Sequence, residues 1–401
     1  MNAFSPTHTE ALRRLSAFVP KAGRDYAAKR NYALGPARHA EAVSVLSPYV
    51  RHRLITEEDV LTAVLARHSS KAAEKFIQEV FWRTYWKGWL EMRPSVWTQY
   101  QSGLWRAWNQ IQTQSGQRNT WEAACKGETG IDCFDSWAHE LFQTGYLHNH
   151  ARMWFASIWV FTLRLPWELG ADFFMRHLLD GDAASNTLSW RWVAGLQTRG
   201  KHYIARASNI SKYTEGQFCP APGVLNTSAD PLPGSEHPPR LAPPQSATLD
   251  PSLPTAVLLH EDDLNPGFLA KLGMNVVGAA VLPVQTGQSP LYLAESVLTF
   301  RNGAVADMAV RWQERFGQFE VSLPAQDIGA WARDRGAHQF VTPYAPVGPV
   351  AEALQQIKGI PVRQVLRDYD ASAWPHATAG FFKFKAKIPE LLGSMNGLKV
   401  A

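Results

Sequence analysis

Between residues 140 and 192 the stretch ELFQTGYLHNHARMWFASIWVFTLRLPWELGADFFMRHLLDGDAASNTLSWRW sets Asn149, Arg152, Asp180, Asp182 and Asn186 among aromatic and aliphatic residues. A buried cation or carboxylate needs a partner, because desolvating it alone costs on the order of several kcal/mol. Arg152 and Asp180 are the pair this stretch offers. The bland reading, in which such groups only tie helices together, covers one Arg/Asp pair. It covers less well two carboxylates in Asp180-Gly181-Asp182, an amide at Asn186 and two indoles, Trp190 and Trp192, within a few residues. That set suits a flavin. An isoalloxazine has donors and acceptors along its polar edge, a nitrogen whose protonation follows redox state, and a plane to which neighbouring indoles can pass electrons.

The elements that must hold these groups are legible from hydrophobic spacing. Residues 146–161 are apolar on most faces and read as a buried helix, 169–179 reads as a second, and Pro166 marks the break between them. Upstream, 9–19 reads as a short helix. A loop around Gly35 and Pro36 leads to Ser44 and Ser47, whose hydroxyls suit phosphate binding or, equally, an ordinary cap before Pro48. Thr56 followed by Glu57, Glu58 and Asp59 opens another helix with the acidic first turn that the macrodipole favours. Residues 70–92 read as a long helix with a broad aromatic surface, on which Glu79 and Trp82 share a face. A carboxylate beside an indole can orient and stack a planar ligand. Thirteen of the 16 tryptophans fall between Trp82 and Trp192, which places the aromatic chemistry in the first half of the chain. Lys201, Arg206 and Lys212 make a basic surface after it.

Residues 219–254 carry ten prolines, a composition that forms neither helix nor central strand, and read as a linker. Beyond it, AVLLH at 256–260 and VVGAAVLPV at 276–284 are strand-like. A helix at 325–335 leads to HQFVT, and one at 347–357 leads to IPVRQVL. This alternation predicts a doubly wound parallel sheet. It contains no GxGxxG, so a dinucleotide is not expected there. The predicted organisation is a mainly α domain at 1–218, a linker at 219–254 and a smaller α/β domain at 255–395.

With 401 residues and 45% hydrophobic content the chain can bury substantial cores. No run reaches a membrane span and the first residues lack a signal-peptide core, so a cytoplasmic protein with no membrane partner is expected. Three cysteines are too few for a disulfide framework or a usual iron–sulfur cluster, and read as reduced and structural. The net charge of +5 tolerates a polyanionic partner without requiring one. His148 and His150 stand two apart, which on a helix turns them to nearly opposite faces, so no metal site is expected.

At this point the motifs carry a resemblance. TGYLHNHARM, LLDGDAASNTLSWRW, KGETG and S-x-x-SP occur in the order, and through 126–192 at closely similar spacings, of the FAD-binding helical domain of the photolyase/cryptochrome family, which 26–218 resembles. The resemblance implies FAD bent into a U, with Tyr26 in its binding site and Ser44 and Ser47 at the phosphates. Arg83 would lie close by, Arg152 would pair with Asp180 beneath the ring, Asp182 would address the polar edge, and Asn186 would face N5. It implies further that Arg30, Glu79, Trp82, Asn149, Met153 and Trp192 contact a cyclobutane pyrimidine dimer. Asn149 and Met153 replace the two histidines typical of enzymes acting on (6-4) photoproducts, His150 stands where an arginine contacting DNA is frequent, and Tyr146 replaces a common tryptophan. Trp190 and Trp167 match the inner and middle members of the family's tryptophan triad. Gln114 stands at the outer position, for which Trp105, Trp108, Trp121 or a tyrosine could substitute.

The family's light-harvesting α/β domain normally precedes the FAD domain. Here nothing precedes it, and 255–395 resembles that antenna domain placed C-terminally, with HEDDL in place of a more basic opening turn; whether it holds an antenna pigment is left open. The expectation is a light-driven lyase that splits dimers in damaged DNA. Its alternative is a light sensor or photo-oxidase drawing on a small-molecule electron donor without repair. A monomer is expected in either case.

Overall fold

The computed structural model describes residues 4–395 except 285, 286 and 288. Its first half is helical and its second contains a five-stranded, all-parallel sheet, as the sequence predicts. Within the helical half, the Glu74–Glu91 helix forms the central wall, against which the Ala183–Val193 helix packs. It begins four residues later than the apolar spacing suggests, with Ala73 at its N-cap giving no side-chain hydrogen bond. Thr56 and Asp59 cap the Glu57–Leu65 helix reciprocally, as their spacing implies. The Asn149–Ser157 helix starts later than expected. His148 before it is extended, and its imidazole accepts the His150 N–H at 3.1 Å, capping the helix there. Residues Ile158–Thr162 continue it as a π-helical turn, and the Trp167–His177 helix follows Pro166.

The strands are β1 (Pro254–Leu259), β2 (Asn275–Val281), β3 (Phe319–Glu320), β4 (Gln339–Pro343) and β5 (Val362–Val365), in the spatial order β3-β2-β1-β4-β5. β1 is central and pairs with both β2 and β4, so the chain order reverses there. The turns after β1 and β4 face the helical half. Leu264 N–H donates to His52 O at 2.9 Å, and Val347 N–H to Glu91 at 2.6 Å. β3 has only two residues and no alternating run, and the sequence did not reveal it.

The proline-rich stretch before β1 has no helix and is laid along the surface by isolated backbone bonds. Leu232 N–H reaches Ala194 O, Leu241 N–H reaches Met92 O, and Ala247 N–H reaches Gln364 O. After β5 the chain returns to the helical half. Tyr369 OH pairs with Thr84 Oγ1 at 2.8 Å, and the short Phe381–Lys385 helix packs on the Glu74–Glu91 helix. Gly88 permits this approach, since a Cβ there would lie 2.8 Å from the Trp374 Cα. Among the described residues no helix is long and apolar enough to cross a membrane.

Candidate active site: a cavity with an ionic floor and an aromatic mouth

A cavity of about 500 Å³ opens between the Glu74–Glu91, Asn149–Ser157 and Ala183–Val193 helices and the loop carrying Ser44 and Ser47. The size lies within the range of small-molecule sites. Tyr26, Ser44, Ser47, Arg83, Arg152, Asp180, Asp182, Asn186 and Trp190 line it, and so do Arg30, Glu79, Trp82, Asn149, Met153 and Trp192. Chain folding thus brings together residues that are up to 166 positions apart, from Tyr26 to Trp192.

Asp180 and Asp182 organise the floor. Arg152 Nη2 lies 2.9 Å from Asp180 Oδ2, while its Nε donates to Leu147 O at 2.9 Å. Arg83 pairs with Asp182 and approaches Asp180 at 4.0 Å. Burial opposes ionisation of Asp180, but Arg152 and Arg83 overcome it and hold the carboxyl below its ordinary range. Asp182 is depressed likewise, against burial, by Arg83, Lys87 and Arg51. Asp182 also caps the Ala183–Val193 helix, accepting the Ser185 N–H at 2.8 Å, so one side chain fixes both a helix start and a charge in the cavity. Asn186 is oriented by donating Nδ2 to Ala171 O at 2.8 Å. Asp180 Oδ1, Ser185 Oγ and Trp190 Nε1 are buried with no hydrogen-bond partner in the protein. Orphaned groups of both kinds, donor and acceptor, around a cavity of this size fit a ligand with a polar edge and a flat apolar body.

The mouth differs. Glu79 is paired with Arg30, each about a third exposed. Burial raises the Glu79 carboxyl above its ordinary range, and Arg30 opposes the shift. Asn149 Nδ2 lies 4.0 Å from Met153 Sδ. Trp82 is stacked on Phe381 with ring centroids 3.7 Å apart and planes 12° apart, so one face of the indole is covered by the returning C-terminal segment. Trp192 lies 5.8 Å from Tyr203, nearly parallel.

Two expected site residues lie outside this cavity lining. His150 is held by Asn31 O at 2.9 Å and stacked against Trp154 and Tyr213, and burial lowers its pKa. Trp167 starts the Trp167–His177 helix with its ring 5.7 Å from Tyr100, which is 5.1 Å from Trp97, while the rings packed on Trp190 are Trp159 and Phe174. Trp190 is fully enclosed, and Gly170 is required beside it, since a Cβ there would fall 2.3 Å from the indole. Gln114 lies at the junction of two helices and is exposed.

Sequence reasoning missed Phe381 and Lys87. Lys87, one turn after Arg83, is buried, has no hydrogen-bond partner for Nζ, and is pushed to lower pKa by burial and then by Arg53. Its signal was present, as the cation one turn after Arg83 on the same helix, but the surrounding indoles drew the reading toward packing.

With this geometry in place, comparison with known proteins is informative. Residues 76–217 match the FAD-binding domain of DNA photolyase. The chain is 28% identical over 203 residues to a deoxyribodipyrimidine photo-lyase of Vibrio cholerae, covering 50% of this chain and 42% of that protein. To the enzyme of the same name from Synechococcus it is 30% identical over 219 residues, covering 52% and 43%. A solved bacterial class III photolyase from Agrobacterium tumefaciens is 27% identical, with a TM-score of 0.44 over 53% of this chain and 44% of that one. The chain therefore spans under half the length of these relatives. Over residues 76–217 the chain is similar to the FAD-binding domain of the photolyase/cryptochrome family.

Proposed function

We propose that the chain is a light-driven flavoprotein that splits cyclobutane pyrimidine dimers in DNA. The observation that supports this best is the shared cavity: the residues matched to FAD form its floor, and those matched to a dimer form its mouth. Reduced FAD, when bound, supplies the electron that light sends into the dimer and takes it back after the ring bonds break.

The protein's own residues hold, orient and exclude. Ser44 and Ser47 would meet the phosphates, and Asp180 with Arg152 and Arg83 would supply a fixed charge pattern toward the ring. Asp182 addresses the polar edge, and Asn186, an amide with no acid proton to give up, holds its orientation whatever the redox state. At the mouth, Trp82 and Trp192 would stack on the two linked pyrimidines of an extruded lesion, with Glu79 and Asn149 at its polar edge. Arg30 balances the Glu79 charge. Electrons from a small donor would enter through Trp167 and Trp190, and Tyr100 is the ring packed against Trp167.

A second reading, a light sensor or photo-oxidase without repair, is favoured by the mouth itself. Glu79 is engaged by Arg30, and Phe381 covers a face of Trp82. One assay separates them. Reduced protein is mixed with DNA carrying a defined dimer, and lesion loss is compared in light and dark. Light-dependent loss supports repair; binding of damaged and undamaged DNA alike with no loss rejects it.

A further inference from the structure

Three consecutive residues at the end of the Ser47–Arg51 helix reach across to the turn after β1. Arg51 donates Nε to the Gly181 carbonyl at 2.8 Å and holds Asp262 Oδ1 2.6 Å from Nη1. His52 faces the Glu261 carbonyl at 2.7 Å and the Leu179 carbonyl at 3.2 Å. Arg53 meets Asp263 at 3.1 Å, Asp370 at 2.7 Å and Glu57 at 3.2 Å. All of these side chains are buried. Arg53 adopts φ 49°, a conformation that a residue with a Cβ keeps only when its surroundings fix it.

Leu179 O and Gly181 O are the carbonyls on either side of Asp180. Burial, with Arg51 beside it, pushes the His52 pKa down to about 3, so at neutral pH its ring carries one proton. The shorter contact, to Glu261 O, is where that proton goes. Arg51 donates to the Gly181 backbone carbonyl of the 179–181 loop, and its guanidinium is aimed by Asp262. We propose that the turn after β1 is a positioning element of the flavin site, in which Asp262 fixes Gly181, and with it Asp180 and Asp182, through Arg51.

A guanidinium hydrogen-bonded to the Gly181 carbonyl through Nε and ion-paired with Asp262 through Nη1 is restrained from turning. Without the Asp262 carboxylate, Arg51 becomes a buried cation whose nearest remaining attraction is Asp182, already subject to its charge. Turning toward Asp182 would release the Gly181 carbonyl and compete with Arg83. The inference rests on FAD occupying the cavity and not on any activity toward DNA.

The test is titration of FAD into apoprotein, with the flavin absorption bands of the complex and the thermal midpoint of the apoprotein recorded alongside. Asp262→Asn should raise the FAD dissociation constant roughly ten- to hundredfold, the span set by one lost charge-assisted hydrogen bond. Arg51→Lys, which keeps the charge but not the fork, should weaken binding in the same direction, and Asp262→Glu should restore part of it. Asp307→Asn serves as the control. Asp307 also joins the halves, accepting from His8 N–H at 3.2 Å and pairing with Arg311 at 2.8 Å, and none of the three lines the cavity. It should lower the thermal midpoint and leave FAD affinity within twofold. Wild-type FAD affinity and band structure in both Asp262→Asn and Arg51→Lys would overturn the proposal and leave the turn a purely structural joint; if Asp262→Asn does not fold, Arg51→Lys decides. Failure of the wild-type protein to take up FAD would instead sink the flavin reading, and the proposal with it.

Discussion

The floor and the mouth of the cavity are built from similar residue types and treated differently by the fold. Both have a carboxylate–arginine pair, Asp180 with Arg152 below and Glu79 with Arg30 above. Asp180 is enclosed and gains a second cation in Arg83, so its charge is fixed before any ligand arrives. Glu79 is a third exposed, has Arg30 as its nearby cation, and is pushed upward by burial. The floor is thus preorganised for one permanent occupant. The mouth has groups that a transient ligand can take over from one another.

The largest expected effect is at the floor. Asp180→Ala leaves Arg152 without its anion and Arg83 with Asp182 alone, and removing one partner of a buried pair costs about 3–5 kcal/mol. The purified variant should be colourless, which absorption above 400 nm would check; retained flavin would erase the contrast drawn above. Next in size is Trp192→Ala at the mouth. It should weaken binding to dimer-containing DNA about five- to 150-fold, from a stacking contribution of about 1–3 kcal/mol, while flavin content stays unchanged. Fluorescence anisotropy at fixed salt measures this, with undamaged DNA as the reference. Between floor and surface, Trp190→Phe should slow light-driven flavin reduction strongly and Tyr100→Phe less so, read by transient absorption. Equal rates in Trp190→Phe and wild type would move the electron route elsewhere.

The smallest expected effect lies behind the floor. Glu91 accepts from Tyr344 OH at 2.7 Å and from Val347 N–H, yet burial pushes its pKa up to about 7. A carboxyl whose folded pKa is raised favours the fold most below its unfolded pKa near 4.5 and progressively less as pH climbs toward 7. Glu91→Gln should therefore raise the thermal midpoint at pH 8 relative to wild type, by a few degrees, with little gain at pH 5. A pH-independent difference would show that Glu91 remains ionised throughout.

How much of this was legible follows from chain distance. Asp180, Asp182, Asn186 and Trp190 stand within eleven positions, so their types and spacing could be read together, and the structure brings all four to one cavity. The parallel sheet was legible because β1 and β2 carry apolar runs and helix-like segments precede β4 and β5, whereas β3 is two residues long. The Trp82–Phe381 stack was not legible, since nothing local in GFFKFK says which distant helix it will cover. The interlock of Arg51 and Arg53 with Asp262, Asp263 and Asp370 was hidden for the same reason. HEDDL looked like a departure in a turn, and two of its acids, Asp262 and Asp263, proved to be counterions for cations about two hundred residues earlier, while Glu261 pairs with Arg301.

The return of the chain onto the Glu74–Glu91 helix also sets a timetable. Thr84 waits 285 residues for Tyr369, and Tyr85 waits 294 for Ala379. At about 5–20 residues per second of synthesis, that interval is roughly 15–60 s. During it an indole-rich wall has been made and its cover has not, an exposure that contacts of such long sequence separation impose on any chain. The helix that lines the cavity is therefore among the early pieces of the molecule to be synthesised and among the last to be shielded.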